Sequence, residues 1–162
     1  MSDIEISRTI AASPLVLFEM VTDLPRMGEW SPENLGGRWV KGSIGPGIGA
    51  SFQGANQNGK KAWTTTCIVD EFDPGKAFAF RVTVGPIKVA RWRYQFDAIG
   101  DATKVTETWE DQRGWLAKKM AGPASGVRDR LSHNRAGMQT TLDNLARVAE
   151  ADGPVDDQPT TN

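Results

Sequence analysis

The chain has 162 residues, 39% of them apolar and 24% charged, with a formal net charge of −1; that is the make-up of one globular domain with a proper core, and too little for two. A charge this close to zero gives no electrostatic footing for nucleic acid or acidic membranes as partners. The single cysteine, Cys67, allows neither an internal disulfide nor a cysteine-based metal cluster, and no metal or organic cofactor is implied.

The amino-terminal MSDIEISRTIAASP has no basic stretch followed by an apolar one, and no apolar run approaches a membrane span. A cytoplasmic protein without integral membrane association is therefore expected. Ile4, Ile6 and Ile10 alternate with Glu5, Ser7 and Thr9, a short half-buried strand. ASPLVLFEMVTD then reads as a helix start, with Ser13 as N-cap and Pro14 at the first helical position. Asp23 is the candidate cap of a second short helix through LPRMGEW, stopped by Pro32. From Trp39 onward the chain is rich in strands broken by turn residues. ASFQGAN and KAWTTTCIVDEF are joined by Gln57-Asn58-Gly59, a hairpin signal. AFAFRVTV follows, with Phe78, Phe80 and Val82 on one face.

In VARWRYQFDAIGDATKVTETWEDQ, Ala90, Trp92, Tyr94, Phe96 and Ala98 share one face and Arg91, Arg93, Gln95 and Asp97 the other. Past Gly100-Asp101, Val105, Glu107 and Trp109 share a face. After Gly122-Pro123 the period changes: Val127, Leu131, Met138, Leu142, Leu145 and Ala149 form one helical stripe that ends near Ala151. The order is strand, two short helices, about six consecutive strands and one long helix. Hairpin-linked strands imply an antiparallel sheet, and the long helix must bury its stripe against one face of it. The aromatic rings of the sheet are expected to face that stripe.

IAASPLVLFEMVTDLPRMGEWSP, WTTTCIVDEFDPGKAFAF, RWRYQFDAIGDATKVTETWED and AGMQTTLDNLARVAE together resemble the SRPBCC superfamily, which holds the birch-pollen allergen, START lipid-transfer domains and polyketide cyclases. They look like its polyketide cyclase/dehydrase-type branch, over about residues 3 to 150. The resemblance implies an α+β helix-grip fold: a curved antiparallel sheet of about seven strands wrapped around the long C-terminal helix, with two short helices after the first strand. It also implies an apolar cavity between sheet and helix; alternation alone shows only an aromatic face. Residues 1–151 would form the single domain and 152–162, with three aspartates, a disordered acidic tail.

Two polar positions conflict with their surroundings. Glu107 follows the inward parity of Val105 and Trp109, and Asn134 and Arg135 lie within about 60° of the Leu131 direction. A carboxylate and a guanidinium in an apolar enclosure must pair or find other partners. Glu107 with Arg135 or Asn134 is thus a candidate polar spot that could orient a ligand carbonyl or hydroxyl. The structural alternative puts Glu107 at the sheet margin and Arg135 out in solvent. His133, the only histidine, falls on the solvent side of the helix, and Cys67 reads as a buried structural thiol. Tyr94 is the better acid, or else a wall residue.

The phosphate-loop-like GANQNGKK is followed by a strand and has Lys61 where a magnesium-binding hydroxyl should stand, so nucleotide binding is excluded. GSIGPGIG also leads into a strand and reads as a connection or a loop at a cavity mouth. Arg81, Lys88, Arg91 and Arg93 form an outer patch with Glu71, Asp97 and Glu110 nearby, a mixed solvated face. Trp30, Trp39, Trp63 and Trp115 are not placed by periodicity; Trp30 resembles a family position near the cavity mouth, and core packing fits it equally.

The expected function is binding of a small, mostly hydrophobic molecule, aromatic, polyketide-like or lipid-like. Phe78, Phe80, Trp92, Tyr94, Phe96, Trp109 and Met138 would line the cavity, with Glu107, Asn134 and Arg135 as polar anchors. One alternative is a polyketide cyclase/dehydrase-like enzyme with Glu107 or Tyr94 as acid or base. Another is a protein-interaction module using the outer patch. The protein is expected as a monomer or homodimer.

Overall fold

The computed structural model describes residues 2–119 and 126–151. Strand β1 (Ile4–Ile10) is followed by helix α1 (Pro14–Thr22) and a short 3-10 helix (Leu24–Glu29). Ser13 caps α1 as expected: its hydroxyl oxygen accepts from the Val16 N–H at 3.3 Å, and Pro14, with no N–H to leave unpaired, opens the first turn. Asp23 gives the 3-10 helix no side-chain cap; its backbone N–H instead closes α1, and the second helix ends at Glu29, before Pro32.

Six strands then run in succession: β2 (Asn34–Val40), β3 (Ser51–Asn58), β4 (Lys61–Asp73), β5 (Ala77–Val84), β6 (Ile87–Ile99) and β7 (Ala102–Asp111). Each pairs antiparallel with the next, and β1 returns beside β7, so the seven-stranded sheet has the order β1-β7-β6-β5-β4-β3-β2. Two-residue turns set the register. Gly85 and Gly100 open theirs at φ of 56° and 58°, a conformation that side chains with a Cβ resist. The turn at Gly100 pairs Ile99 with Ala102, and equal steps away from it bring Tyr94 opposite Glu107 and Trp92 opposite Trp109. Register shifts in β2–β3, β4–β5 and β5–β6 bend the strands locally.

Helix α2 (Arg130–Ala151) begins after Asp129, whose carboxylate accepts from the Ser132 N–H at 3.1 Å. Val127 is buried but precedes the helix, and Leu131, expected in the stripe, is 53% exposed. The residues α2 buries are Asn134, Met138, Thr141, Leu142, Leu145, Ala146 and Ala149. The fold is α+β, an open antiparallel sheet gripping one long helix. The Gly122-Pro123 break and the tail 152–162 lie outside the described residues.

The core is divided. Around α1, Phe18 meets Phe72, Phe78 and Phe96 edge-on with centroids 5.1, 6.4 and 5.9 Å apart. A smaller cluster joins Ile4, Ala90, Trp109 and Met138, and Trp92 packs against both groups. Among the described residues, no helix is long and apolar enough to cross a membrane.

Candidate functional site

Between sheet and helix lies a cavity of about 430 Å³. Its extent follows from which residue of each element lines it. On β6 the wall runs from Ile87 through Trp92 to Tyr94 and stops before Phe96; on β5 it runs from Val84 to Phe80 and stops before Phe78. On β7 it reaches Glu107 but not Val105, and on α2 it runs from Arg130 to Thr141 but not Leu142. Val84 and Ile87 are 42% and 46% exposed, whereas Phe78, Val105 and Leu142 are fully buried. The cavity therefore opens at the β5–β6 turn and the N-terminal end of α2, and closes at the level of Tyr94, Glu107 and Thr141. The helix covers the aromatic face incompletely, and α1 with Phe18 fills the remainder.

At the closed end, the Tyr94 hydroxyl donates to Glu107 Oε1 at 2.7 Å. Glu107 is 1% exposed, and its other oxygen, Oε2, is buried with no partner among the described residues. Removing a carboxylate from water without a cation beside it favours the neutral acid. Burial accordingly pushes the Glu107 carboxyl up to about 8, against the pull of the Tyr94 hydrogen bond. Tyr94 moves the same way, through burial first and then the neighbouring carboxyl, so it stays a protonated donor. Asn134, one helical turn nearer the mouth than Met138, is 6% exposed and lines the cavity. Its amide makes no hydrogen bond among the described residues.

The mouth is charged and internally paired. Arg130 Nη1 lies 2.9 Å from Glu33 Oε1 and its guanidinium stands over the Trp63 ring at 6.0 Å from the centroid. His133 Nε2 is 3.3 Å from the same Glu33 oxygen, and Arg113 Nη2 is 2.8 Å from Asp111 Oδ2. One wall carries a polar chain: Asn34 Nδ2 donates to Asn56 Oδ1 at 3.2 Å, and Asn56 Nδ2 to Thr65 Oγ1 at 3.1 Å.

Of the residues expected at the site, Phe80, Trp92, Tyr94, Glu107, Trp109, Asn134 and Met138 line this one cavity. Three do not. Phe78 and Phe96 face the same side of the sheet but lie beyond its closed end, locked edge-on against Phe18. Arg135 is exposed, so it does not meet Glu107. It lies about 100° round the helix from Asn134, on a flank that nothing covers in the first turns, as the exposure of Leu131 shows. His133, expected on the solvent side, is half-buried at the mouth because Glu33 reaches it from the start of β2.

The partner Glu107 does have, Tyr94, was readable by counting from the Gly100-Asp101 turn. Asn34, Asn56 and Glu33 carry no such signal, since only the closing of β2 and β3 around the helix brings them to the cavity. Cys67 lines the cavity and is buried, its thiol pushed up to about 12 by desolvation. Trp30 belongs to the core, Trp39 stacks edge-on with Phe52, and Trp115 is exposed.

On the outer face, the bulge between Val69 and Glu71 lets both Asp70 and Glu71 reach the arginines. Arg81 and Arg91 sit 3.2 and 3.0 Å from Asp70, and Arg93 2.8 Å from Glu71. The three arginines there are partnered, as on a mixed solvated face.

The fold and cavity together define a helix-grip domain with a chamber between sheet and helix. The chain belongs to the polyketide cyclase/dehydrase and lipid transport family, whose model matches residues 1–150. No curated protein matches it. Among solved structures, it is similar to a polyketide cyclase-like protein of Corynebacterium glutamicum, at 28% identity over 91% of both chains and a TM-score of 0.62. It also resembles the di-domain ARO/CYC StfQ from the steffimycin biosynthetic pathway, at 14% identity and a TM-score of 0.72, covering 94% of this chain and 51% of that one. A third likeness is the Aha1 dimer from Colwellia psychrerythraea, at 13% identity over 95% and 100% of the two chains, with a TM-score of 0.64. The last two are likenesses of fold.

Proposed function

We propose that the protein binds a small, mostly hydrophobic molecule in the chamber between sheet and α2, with Trp92, Trp109, Phe80 and Met138 as apolar wall and Glu107 with Tyr94 as polar anchor. The observation that carries this reading is the Glu107 Oε2 atom, a buried hydrogen-bonding group without a partner among the described residues, at the end of a chamber of about 430 Å³. Buried polar groups are ordinarily satisfied, and an orphan beside a cavity marks where something else binds. Family membership supports the same reading, since the family takes in lipid transport as well as cyclases.

Native mass spectrometry of protein isolated from its host, followed by tryptophan-fluorescence titration with apolar and aromatic compounds, tests it. Trp92 and Trp109 are in the wall, so occupancy should quench saturably, and Met138→Trp should abolish the effect by filling the chamber. A folded protein that shows no co-purifying species and no saturable quenching across a broad panel rules the reading out.

A second reading is a cyclase/dehydrase-like proton transfer. What favours it is that the Glu107 carboxyl, raised to about 8, can give or take a proton near neutral pH. In that case Glu107→Gln abolishes turnover while ligand affinity survives; in pure binding, no turnover exists to lose.

A further inference from the structure

The closed end of the chamber holds few protons, and their commitments can be counted. The single proton of Tyr94 is given to Glu107 Oε1, and the Thr141 hydroxyl donates to the Gly137 carbonyl at 2.9 Å. A carboxyl that accepts at Oε1 and stays neutral carries its own proton on Oε2, and Oε2 has no acceptor among the described residues. At the level of Tyr94, Glu107 and Thr141 the free group among the described residues is therefore a donor, and the uncommitted Asn134 amide stands nearer the mouth.

Charge is distributed the opposite way. Among the described residues, the cationic groups that line the chamber, Arg113 and Arg130, stand at the mouth, and both are held by carboxylates there. Facing Glu107 across the sheet are Ile6 on β1 and Tyr94 on β6, and from α2 the residues in the wall are Asn134, Met138 and Thr141. None of these is a cation. An anionic ligand group pushed to the closed end would lose its water and meet no positive charge.

We propose that the ligand enters with an uncharged carbonyl group leading, its oxygen accepting from the Glu107 carboxyl at the closed end, its apolar body lying against the paired Trp92 and Trp109 rings, and any charged part trailing at the mouth. This rests on the chamber being the ligand site and adds the chemical class and the direction of insertion. Carboxylate-led amphiphiles are excluded. A bare hydrocarbon binds more weakly, because it leaves the donor unpaired.

Three probes of one shape test this by calorimetric titration at about pH 6: 2-acetylnaphthalene, 2-ethylnaphthalene and 2-naphthoate. The acetyl compound should bind about ten-fold more tightly than the ethyl compound, the value of one well-made neutral hydrogen bond, with naphthoate weakest. In Glu107→Gln the preference should persist, because the amide nitrogen donates from the Oε2 position while the amide oxygen still accepts from Tyr94. In Glu107→Leu it should vanish while ethylnaphthalene still binds.

Saturable binding with equal affinity for the acetyl and ethyl compounds, or with naphthoate tightest, overturns the carbonyl assignment and leaves the chamber as a ligand site. Failure of all three to bind overturns the carbonyl assignment, and joined to the absence of a co-purifying species and of quenching across the broad panel it overturns the chamber reading as well. The wild-type series and Glu107→Gln suffice if Glu107→Leu does not fold.

Discussion

The buried Glu107 ties stability to pH in a way that isolates one residue. Its carboxyl titrates near 4.5 when exposed and at about 8 in the folded protein. Between those values the folded state holds a proton that the unfolded chain has released, so stability is complete below about pH 4.5 and falls as pH rises towards 8. From about pH 5 to pH 8 the loss attributable to this carboxyl is roughly 3 kcal/mol, at 1.36 kcal/mol for each pH unit over which only the folded state stays protonated. Glu107→Gln removes the titration and keeps the shape and the Tyr94 contact. Urea unfolding followed by tryptophan fluorescence, at intervals from about pH 5 to 9, should give a wild-type curve that drops relative to the variant by that amount. Above pH 8 the variant should be the more stable protein. Two curves that stay parallel would falsify the claim that Glu107 is buried without a cation, and with it the neutral anchor at the closed end.

Phe18→Ala should cost about 3–5 kcal/mol, because the ring fills the space between Phe72, Phe78 and Phe96. It lies outside the chamber, so probe affinity of the surviving folded protein should be unchanged; a large affinity loss would mean that the chamber extends past Tyr94 to the Phe18 ring. Ser13→Ala should cost about 1 kcal/mol through loss of the α1 cap, read as a shift in urea midpoint with no effect on binding. The Cys67 thiol, raised from 9.0 to about 12, should react with a disulfide reagent at neutral pH about a thousandfold more slowly than free cysteine. Its reaction should accelerate in step with unfolding, and rapid labelling of the native protein would show that the β4 wall is open to solvent.

Much of the architecture was already legible in the sequence, because it is set by short-range rules. Period-two alternation aligned Trp92, Tyr94 and Phe96 on one face, Ser13-Pro14 marked the start of α1, and the hairpin turns implied an antiparallel sheet. The same alternation carried Glu107 inward with Val105 and Trp109, against its polarity. What alternation cannot say is how far along a face the cover extends. Phe96 and Tyr94 have the same parity, yet one is packed under Phe18 and the other ends the cavity wall, because α1 covers only part of β5 and β6.

The helix shows the same limit from the other side. Its wheel placed Leu131, Asn134 and Arg135 in one arc, but burial needs a facing wall as well as a direction. In the first turns that wall stands only on the Asn134 side, so Arg135 and Leu131 are left to solvent. Local patterning along the chain sets the elements, their order and the inward parity of a carboxyl. Packing at long range settled that no cation among the described residues reaches it and that the chamber ends at its level. Those facts depend on surfaces brought together from distant parts of the chain, where local periodicity carries no information.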